Sequence, residues 1–144
     1  KGFKVFAIDL SSVAIAQLKK LAKKLNLKIN AKVGNINARL WPQKITIFID
    51  IYALHHFPDK EGRLYLKRIQ SNTPKGGFNV IKAMMRKGDL YEKNKRIKRP
   101  FFMLKKGELK HIYKSWKILE YKESNNPDKK KKENFVAEII ARKK

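Results

Sequence analysis

The sequence predicts an α/β fold in which helices flank a mostly parallel sheet that ends in an antiparallel hairpin. Strand-like and helix-like segments alternate over residues 1–85, in the order strand, helix, strand, strand, helix, strand. This alternation is typical of parallel sheets, because parallel strands need long crossover connections. Two further strand-like segments lie near the end of the chain, joined by a lysine-rich loop. We expect a single domain over residues 1–144.

The first half of the pattern begins with a strand over residues 3–9, an apolar run that we expect to be buried. Ser11 or Ser12 can cap a helix that follows over about 12–25. A second short strand is predicted over residues 28–34. The helix predicted over about 12–25 has apolar residues at 4-3-4 spacing, which predicts its buried face: Ala14, Leu18, Leu21 and Leu25.

The central segments are the most apolar of the chain. Residues 45–54 form a nearly continuous β-branched and apolar run, which predicts a strand covered on both faces. Asp59 is expected to cap a helix over about 60–72. A turn over 73–77 and a buried strand over 78–85 follow. Three residues of the helix predicted over about 60–72 are expected to face inward: Tyr65, Leu66 and Ile69.

The last third of the chain has a different character. Residues 86–106 are polar and basic with no sustained period, which predicts a long loop with a functional role. A short helix is expected over about 107–114. Residues 116–123 and 135–141 are predicted to form the terminal antiparallel hairpin.

The net charge is the most unusual feature of the composition. Lys and Arg number 36 against 12 Asp and Glu, which gives +24. One interpretation is attraction to a polyanion such as nucleic acid. The alternative, which we favour, is a lysine-rich surface without such a partner. The lysines lie on every segment, and aromatic residues do not alternate with them as stacking platforms would require.

Residue usage argues against several kinds of site. The chain has no cysteine, which excludes disulfides and thiolate metal sites and favours the cytoplasm. Its three histidines have no metal-ligand spacing, so we predict no metal. No apolar run approaches the roughly 18 residues of a membrane-spanning helix.

Five segments, in order and at fitting distances, carry a resemblance to a known family. They are Gly2–Asp9, Thr73–Ile81, Lys105–Lys110, Tyr113–Glu123 and Phe135–Lys143. The Gly-Glu-Leu triplet followed by Tyr-x-x-Trp and Tyr-x-Glu is their most specific part. Together they resemble the tellurite-resistance (TehB-like) group of class I S-adenosylmethionine-dependent methyltransferases. The resemblance covers nearly the whole chain, and the Leu-His-His-Phe-Pro segment after the fourth family strand agrees with class I methyltransferases generally.

The resemblance implies a Rossmann-like sandwich that binds S-adenosylmethionine and transfers its methyl group to a small-molecule acceptor, without a metal. It places Asp9 at the carboxylate position that accepts hydrogen bonds from both ribose hydroxyls, with Leu10 beside the adenine. A carboxylate suits two vicinal donors because it has two acceptor oxygens. The alternative interpretation is that Asp9 only caps the following helix.

The same resemblance implies two further pairs of cofactor-binding residues. Asn35, followed by Ile36, matches the position that meets the adenine amino group. Asp50 and Ile51 lie near the end of the fourth family strand, where an open α/β sheet binds its ligands. Asp50 can approach the methionine ammonium group or simply cap a turn, and the sequence does not decide between them.

The chain departs from the family pattern in two places. The first strand and its glycine-rich loop have no counterpart, because no Gly-x-Gly pattern occurs. We therefore expect an N-terminally truncated domain, with a gap in the sheet or direct pairing of the strands on either side. We also expect the 144 residues alone to bind the cofactor weakly or not at all. The His-Arg pair that the family implicates in catalysis is missing from residues 125–132, which puts a tellurite or selenite substrate in doubt.

Catalytic residues are not assigned by the sequence. His55 and His56 follow the fourth family strand and are either candidate bases or structural residues. Trp116 and Tyr121 are expected in the core. The long loop offers three candidate lid residues: Arg99, Phe101 and Phe102. Besides the methyltransferase, a basic nucleic-acid-binding protein and an inactive methyltransferase remnant remain as hypotheses.

Overall fold

The computed structural model describes residues 2–36, 42, 44–98, 101–127 and 132–144, and the chain divides into two compact units, Lys1–Gln43 and Lys44–Lys144. The strands are β1 (Val5–Asp9), β2 (Ile29–Val33), β3 (Ile47–Ile51), β4 (Phe78–Gly88), β5 (Lys117–Asn125) and β6 (Asn134–Arg142). The helices are α1 (Ser12–Lys24), α2 (Asp59–Asn72), α3 (Asp89–Arg96) and α4 (Glu108–Ile112), with a 3₁₀ turn over Leu54–His56.

The smaller unit contains β1, α1 and β2. The strands pair in parallel, from Val5 opposite Ile29 to Asp9 opposite Val33. Helix α1 begins where predicted, because the Ser11 hydroxyl accepts a hydrogen bond from the amide of Ala14 at 3.1 Å. This is an ordinary helix cap.

Burial in the smaller unit differs from the prediction. Helix α1 buries Ile15 and Ala22 and exposes Leu21 and Leu25, so its buried face is rotated from the predicted one. Strand β1 was predicted to be buried, yet Phe6 is 45% exposed. That prediction was wrong, because an apolar sequence alone does not say which faces of a strand meet a neighbour.

The larger unit is built on a four-stranded sheet in the order β3-β4-β6-β5. Strands β3 and β4 are parallel, whereas β6 is antiparallel to both β4 and β5. The predicted terminal hairpin is therefore present. Among the described residues, β1 and β2 form a two-stranded sheet in the smaller unit, and the other four strands form the sheet of the larger unit.

Strand β3 was predicted to be covered on both faces, and that prediction was wrong. Phe48 and Asp50 are buried, whereas Ile47, Ile49 and Ile51 are exposed. The alternation has the period of two that one covered face produces, and the apolar residues of the other face obscured it in the sequence.

Residues 86–106 are not a long loop, and that prediction was wrong. Strand β4 continues to Gly88 and α3 follows at once. Gly88 has φ of 92° where the β4–β6 register shifts, and a side chain there would meet the backbone of Glu133. A short parallel bridge then pairs Met85 with Leu104.

Helix α2 buries Tyr65, Leu66 and Ile69, as predicted. Its N-cap residue is Pro58, and no side chain caps it, so the predicted capping role of Asp59 was wrong. The Asp59 carboxylate instead forms ion pairs with two arginines at 2.9 Å: Arg63 and Arg86.

A buried polar chain links the end of α2, strand β4 and the end of α4. The Thr73 hydroxyl lies 2.8 Å from the side-chain oxygen of Asn79, whose Nδ2 donates to the Tyr113 hydroxyl at 3.0 Å. All three residues are fully buried. Their hydrogen bonds satisfy groups that would otherwise be costly to remove from water.

We expect Tyr113→Phe to lower the free energy of unfolding by about 1–3 kcal/mol, because it leaves the buried Asn79 amide without its acceptor. Urea unfolding measures the change. The matched control is Tyr91→Phe, since Tyr91 is only partly buried and its hydroxyl has no hydrogen bond among the described residues. This control should change stability by no more than about 0.5 kcal/mol. Equal losses in the two variants would contradict a role for the buried chain.

Candidate cofactor site

Asp9 ends β1 at the carboxyl edge of the parallel pair. Its Oδ1 accepts a hydrogen bond from the amide of Ser11 at 2.7 Å, and its backbone carbonyl accepts one from Gly34 at 2.9 Å. The helix itself is capped by Ser11, so Asp9 is not the cap. The carboxylate is exposed, held by its bond to Ser11, and its Oδ2 has no partner among the described residues. It can therefore accept hydrogen bonds from a ligand.

Three other predicted residues lie at the same edge of the β1–β2 pair. Leu10 follows β1 and is 70% exposed. Asn35 and Ile36 follow β2, with Asn35 exposed and Ile36 partly buried. Since the strands are parallel and in register to their ends, all these residues leave the sheet on one side. The smaller unit thus presents polar and apolar groups together, as the adenosine part of a cofactor requires.

Asp50 belongs to the larger unit, near the carboxyl end of β3, and is only 3% exposed. Its Oδ1 accepts from the amide of Ala53 at 3.1 Å, whereas its Oδ2 is buried without a partner among the described residues. Burial raises the pKa of Asp50 above its ordinary value of 3.8, and hydrogen bonds from Tyr65 and Ala53 oppose part of that rise. The neighbouring Ile51 is 58% exposed.

The chain turns sharply after β3. Tyr52 has φ of 65°, a left-handed conformation that is rare for a bulky residue, and its amide donates to the carbonyl of Lys82 at 2.8 Å. Its hydroxyl accepts from Asn126 at 2.6 Å. The Lys82 ammonium lies 5.5 Å from the Tyr52 ring and pairs with Glu138 at 2.9 Å. These contacts hold the strand end that carries Asp50.

The two histidines next along the chain have different surroundings. His55 is partly buried, and its ring lies 4.1 Å from that of the exposed His56. Burial and the neighbouring His56 lower the pKa of His55 to about 4, although the Tyr52 carbonyl opposes the shift. His55 is therefore neutral near neutral pH and a weak general base there.

A cleft of about 390 Å³ lies between the 3₁₀ turn and α3. Leu90 and Asn94 of α3 line it, together with Ile97, the C-cap residue of that helix. Asn94 was not predicted as a site residue, because its segment was predicted to be a loop. The signal was present in the 4-3 spacing of these three residues, although two apolar side chains in a basic stretch give it little strength.

The candidate lid residues divide among different environments. Arg99 lies outside the described residues. Phe101 lines the cleft beside α3. Phe102 is 1% exposed and packs so closely on Gly62 that a side chain at position 62 would meet the Phe102 ring. The prediction that Phe102 is a lid residue was therefore wrong.

The predictions for the two other aromatic residues have different outcomes. Trp116 is buried against Tyr113, as expected of a core residue. Tyr121 is only partly buried, and its hydroxyl donates to the Glu123 carboxylate.

Two features are absent from the described residues. No group of three or more His, Asp or Glu side chains is placed to hold a metal ion within the described ranges. None of the helices found there combines the length and apolarity needed to cross a bilayer.

Comparison with known proteins identifies the family. The family model described as "Tellurite resistance protein TehB" matches residues 1–137. The chain belongs to the TehB family. A probable S-adenosyl-L-methionine-dependent methyltransferase TehB of Haemophilus influenzae (strain 10810) is 29% identical over 150 residues, which cover 99% of this chain and 51% of that protein.

Solved structures agree with the TehB assignment. The crystal structure of TehB from Haemophilus influenzae has a TM-score of 0.78 and 26% identity, and the match covers 99% of this chain and 51% of that one. A SAM-dependent methyltransferase of Methanosarcina mazei has a TM-score of 0.73 at 16% identity, over 99% of this chain and 82% of that one, which supports the fold alone. The predicted Rossmann-like methyltransferase fold is confirmed. The chain spans about half the length of the Haemophilus relatives.

The burial of Asp50 predicts how stability depends on pH. A raised pKa means that the folded protein keeps a proton that the unfolded chain has released. Stability from this group is therefore present below the unfolded pKa and is lost as pH rises through the folded pKa. We expect Asp50→Asn to stabilise the protein at about pH 7, with a gain that shrinks at about pH 4.

Urea unfolding of the wild type and the variant at both pH values tests this expectation. The matched control is Asp59→Asn, which loses the ion pairs with Arg63 and Arg86 and should destabilise at neutral pH. A loss of stability in Asp50→Asn at neutral pH would contradict the inferred cost of burying this carboxylate.

Proposed function

We propose that this chain forms the larger part of a methyltransferase that transfers a methyl group from S-adenosylmethionine to a small acceptor. The observation that carries the proposal is that Asp9 and Asp50, at the carboxyl ends of β1 and β3 in a chain of the TehB family, each have one carboxylate oxygen without a hydrogen-bond partner among the described residues. The ends of parallel strands are where open α/β sheets bind their ligands. The Haemophilus influenzae relatives are named as probable S-adenosyl-L-methionine-dependent methyltransferases, which supports the choice of cofactor.

Asp9 is proposed to hold the ribose. Its Oδ1 is already oriented by the Ser11 amide, and each carboxylate oxygen can accept more than one hydrogen bond. Both oxygens therefore remain usable by two vicinal hydroxyls. Leu10, Asn35 and Ile36 leave the same edge of the β1–β2 pair and are proposed to surround the adenine.

Asp50 is proposed to meet the ammonium of the methionine part, with Ile51 beside it. A buried carboxylate oxygen without a partner is costly, and a cation placed against it supplies the missing interaction and favours the ionised form. S-adenosylmethionine, when bound, supplies an electrophilic methyl carbon on a sulfonium. The protein's own contribution is then to orient the acceptor in line with that carbon.

The acceptor is proposed to be a small molecule other than tellurite or selenite. Residues 125–132 contain neither His nor Arg, so the pair that the resemblance implicates in catalysis is not provided there. Residues 128–131 lie outside the described part of the chain. Nucleic-acid binding stays a hypothesis that follows from the net charge of +24, and a cytoplasmic location stays a prediction from the cysteine-free sequence.

We expect Asp9→Ala in the full-length protein to weaken the binding of S-adenosylhomocysteine by about 1.5–3 kcal/mol, the range for hydrogen bonds to a charged group. Isothermal titration calorimetry measures the change. The matched control is Glu120→Ala, because Glu120 is an exposed carboxylate on β5 without a described contact and should leave the affinity unchanged. Equal affinities of Asp9→Ala and the wild type would show that Asp9 does not bind the cofactor and only accepts the hydrogen bond from Ser11 before α1.

Asp50→Asn gives an independent test in the same titration. The variant should bind S-adenosylhomocysteine more weakly at neutral pH, because it loses the negative charge that faces the ammonium. The same substitution is expected to stabilise the fold. Weaker binding together with higher stability would separate a ligand-binding role from damage to the structure, whereas unchanged binding would remove Asp50 from the site.

A further inference from the structure

The cleft between the 3₁₀ turn and α3 has chemistry that the cofactor assignment does not use. Among the described residues, its lining combines an amide, a lysine, two histidines and three apolar side chains, without a carboxylate. The residues are His55, His56, Leu90, Lys93, Asn94, Ile97 and Phe101. A ligand in this cleft therefore meets hydrogen-bond donors and apolar surface.

Asn94 is the most informative residue of the lining. It is 6% exposed, and its Nδ2 is buried with no hydrogen-bond partner among the described residues. Buried donors are nearly always satisfied, and an unsatisfied one costs free energy. A buried donor without a partner at the wall of a cleft indicates that its partner is a bound molecule with an acceptor oxygen.

The charges around the cleft select among such molecules. Lys93 adds a cation at the wall. His55 adds none near neutral pH, because its pKa lies at about 4. The remaining surface comes from Leu90, Ile97 and Phe101, which suit an apolar body.

We propose that this cleft binds the methyl acceptor and that the acceptor is a small organic carboxylate with an apolar body. The proposal rests on the proposed function and adds the substrate class and a specificity-determining residue. Asn94 donates a hydrogen bond to the carboxylate, Lys93 supplies a counter-charge, and the apolar wall holds the rest of the molecule. A small inorganic oxyanion would leave that apolar wall in contact with water, so the cleft favours the organic anion.

Benzoate is the probe that tests the proposal, with benzylamine and selenite for comparison. Each is titrated into the full-length protein without cofactor and followed by amide and imidazole NMR shifts. We expect benzoate to bind with the largest shifts at the cleft, in Leu90, Asn94 and Ile97. Benzylamine has an apolar body of similar size but the opposite charge, and it should bind more weakly. Selenite binding as tight as that of benzoate would overturn the proposal.

Two substitutions on α3 test which residues bind benzoate. Asn94→Leu removes the donor and should weaken benzoate about tenfold or more, in line with a hydrogen bond to a charged group. It should not lower stability to urea, because it removes an unsatisfied buried group. Lys93→Gln should weaken benzoate more than Lys95→Gln, which makes the same charge change on the same helix away from the cleft lining.

The outcomes separate this proposal from the cofactor assignment. Binding of S-adenosylhomocysteine should be the same in Asn94→Leu and the wild type. If that binding is intact while benzoate is not bound, or is bound equally by Asn94→Leu, the acceptor proposal fails and the methyltransferase proposal stands. If S-adenosylhomocysteine is not bound by the wild type, the methyltransferase proposal fails first.

Discussion

The pairing of β4 with a parallel strand on one side and an antiparallel strand on the other is the constraint on which the larger unit depends. Strand β4 is eleven residues long, and its buried residue Asn79 joins the Thr73 turn to Tyr113 after α4. The same strand fixes the end of β3, because the Lys82 carbonyl accepts from the Tyr52 amide. The position of Asp50 therefore follows from β4, and so does the start of α3 directly after Gly88.

Three buried side-chain atoms in this unit have no hydrogen-bond partner among the described residues: Oδ2 of Asp50, Nδ1 of His55 and Nδ2 of Asn94. All three lie where a ligand is proposed. Oδ2 of Asp50 is an acceptor that suits a cation, and Nδ2 of Asn94 is a donor that suits an anion. A protein selected only for stability would replace such groups, since each costs free energy when buried alone. The opposite chemistry of Asp50 and Asn94 agrees with the ammonium of a cofactor at one place and the carboxylate of an acceptor at another.

Local chemistry made much of this fold predictable from the sequence. Ser11 marked the start of α1, and the inward residues of α2 were correct because their helical spacing is strong. Helix α3 was missed, since only Leu90 and Ile97 mark an apolar face in a basic stretch. The burial of Asp50 could not be predicted from the sequence either, because it depends on Tyr65 from α2 and on the turn at Ala53. The resemblance to the family led to the proposed cofactor roles of Asp9 and Asp50 but gave no indication of Asn94.

Calorimetric titration of S-adenosylhomocysteine into the full-length protein, set against titration with RNA over a range of salt concentrations, distinguishes a methyltransferase from a nucleic-acid-binding protein. The account predicts saturable binding of the nucleoside that salt hardly weakens, because buried groups such as Asp50 are poorly screened. It also predicts RNA binding no stronger than the net charge alone produces. Absence of nucleoside binding together with tight RNA binding that falls steeply with salt would contradict the account and favour a nucleic-acid-binding protein.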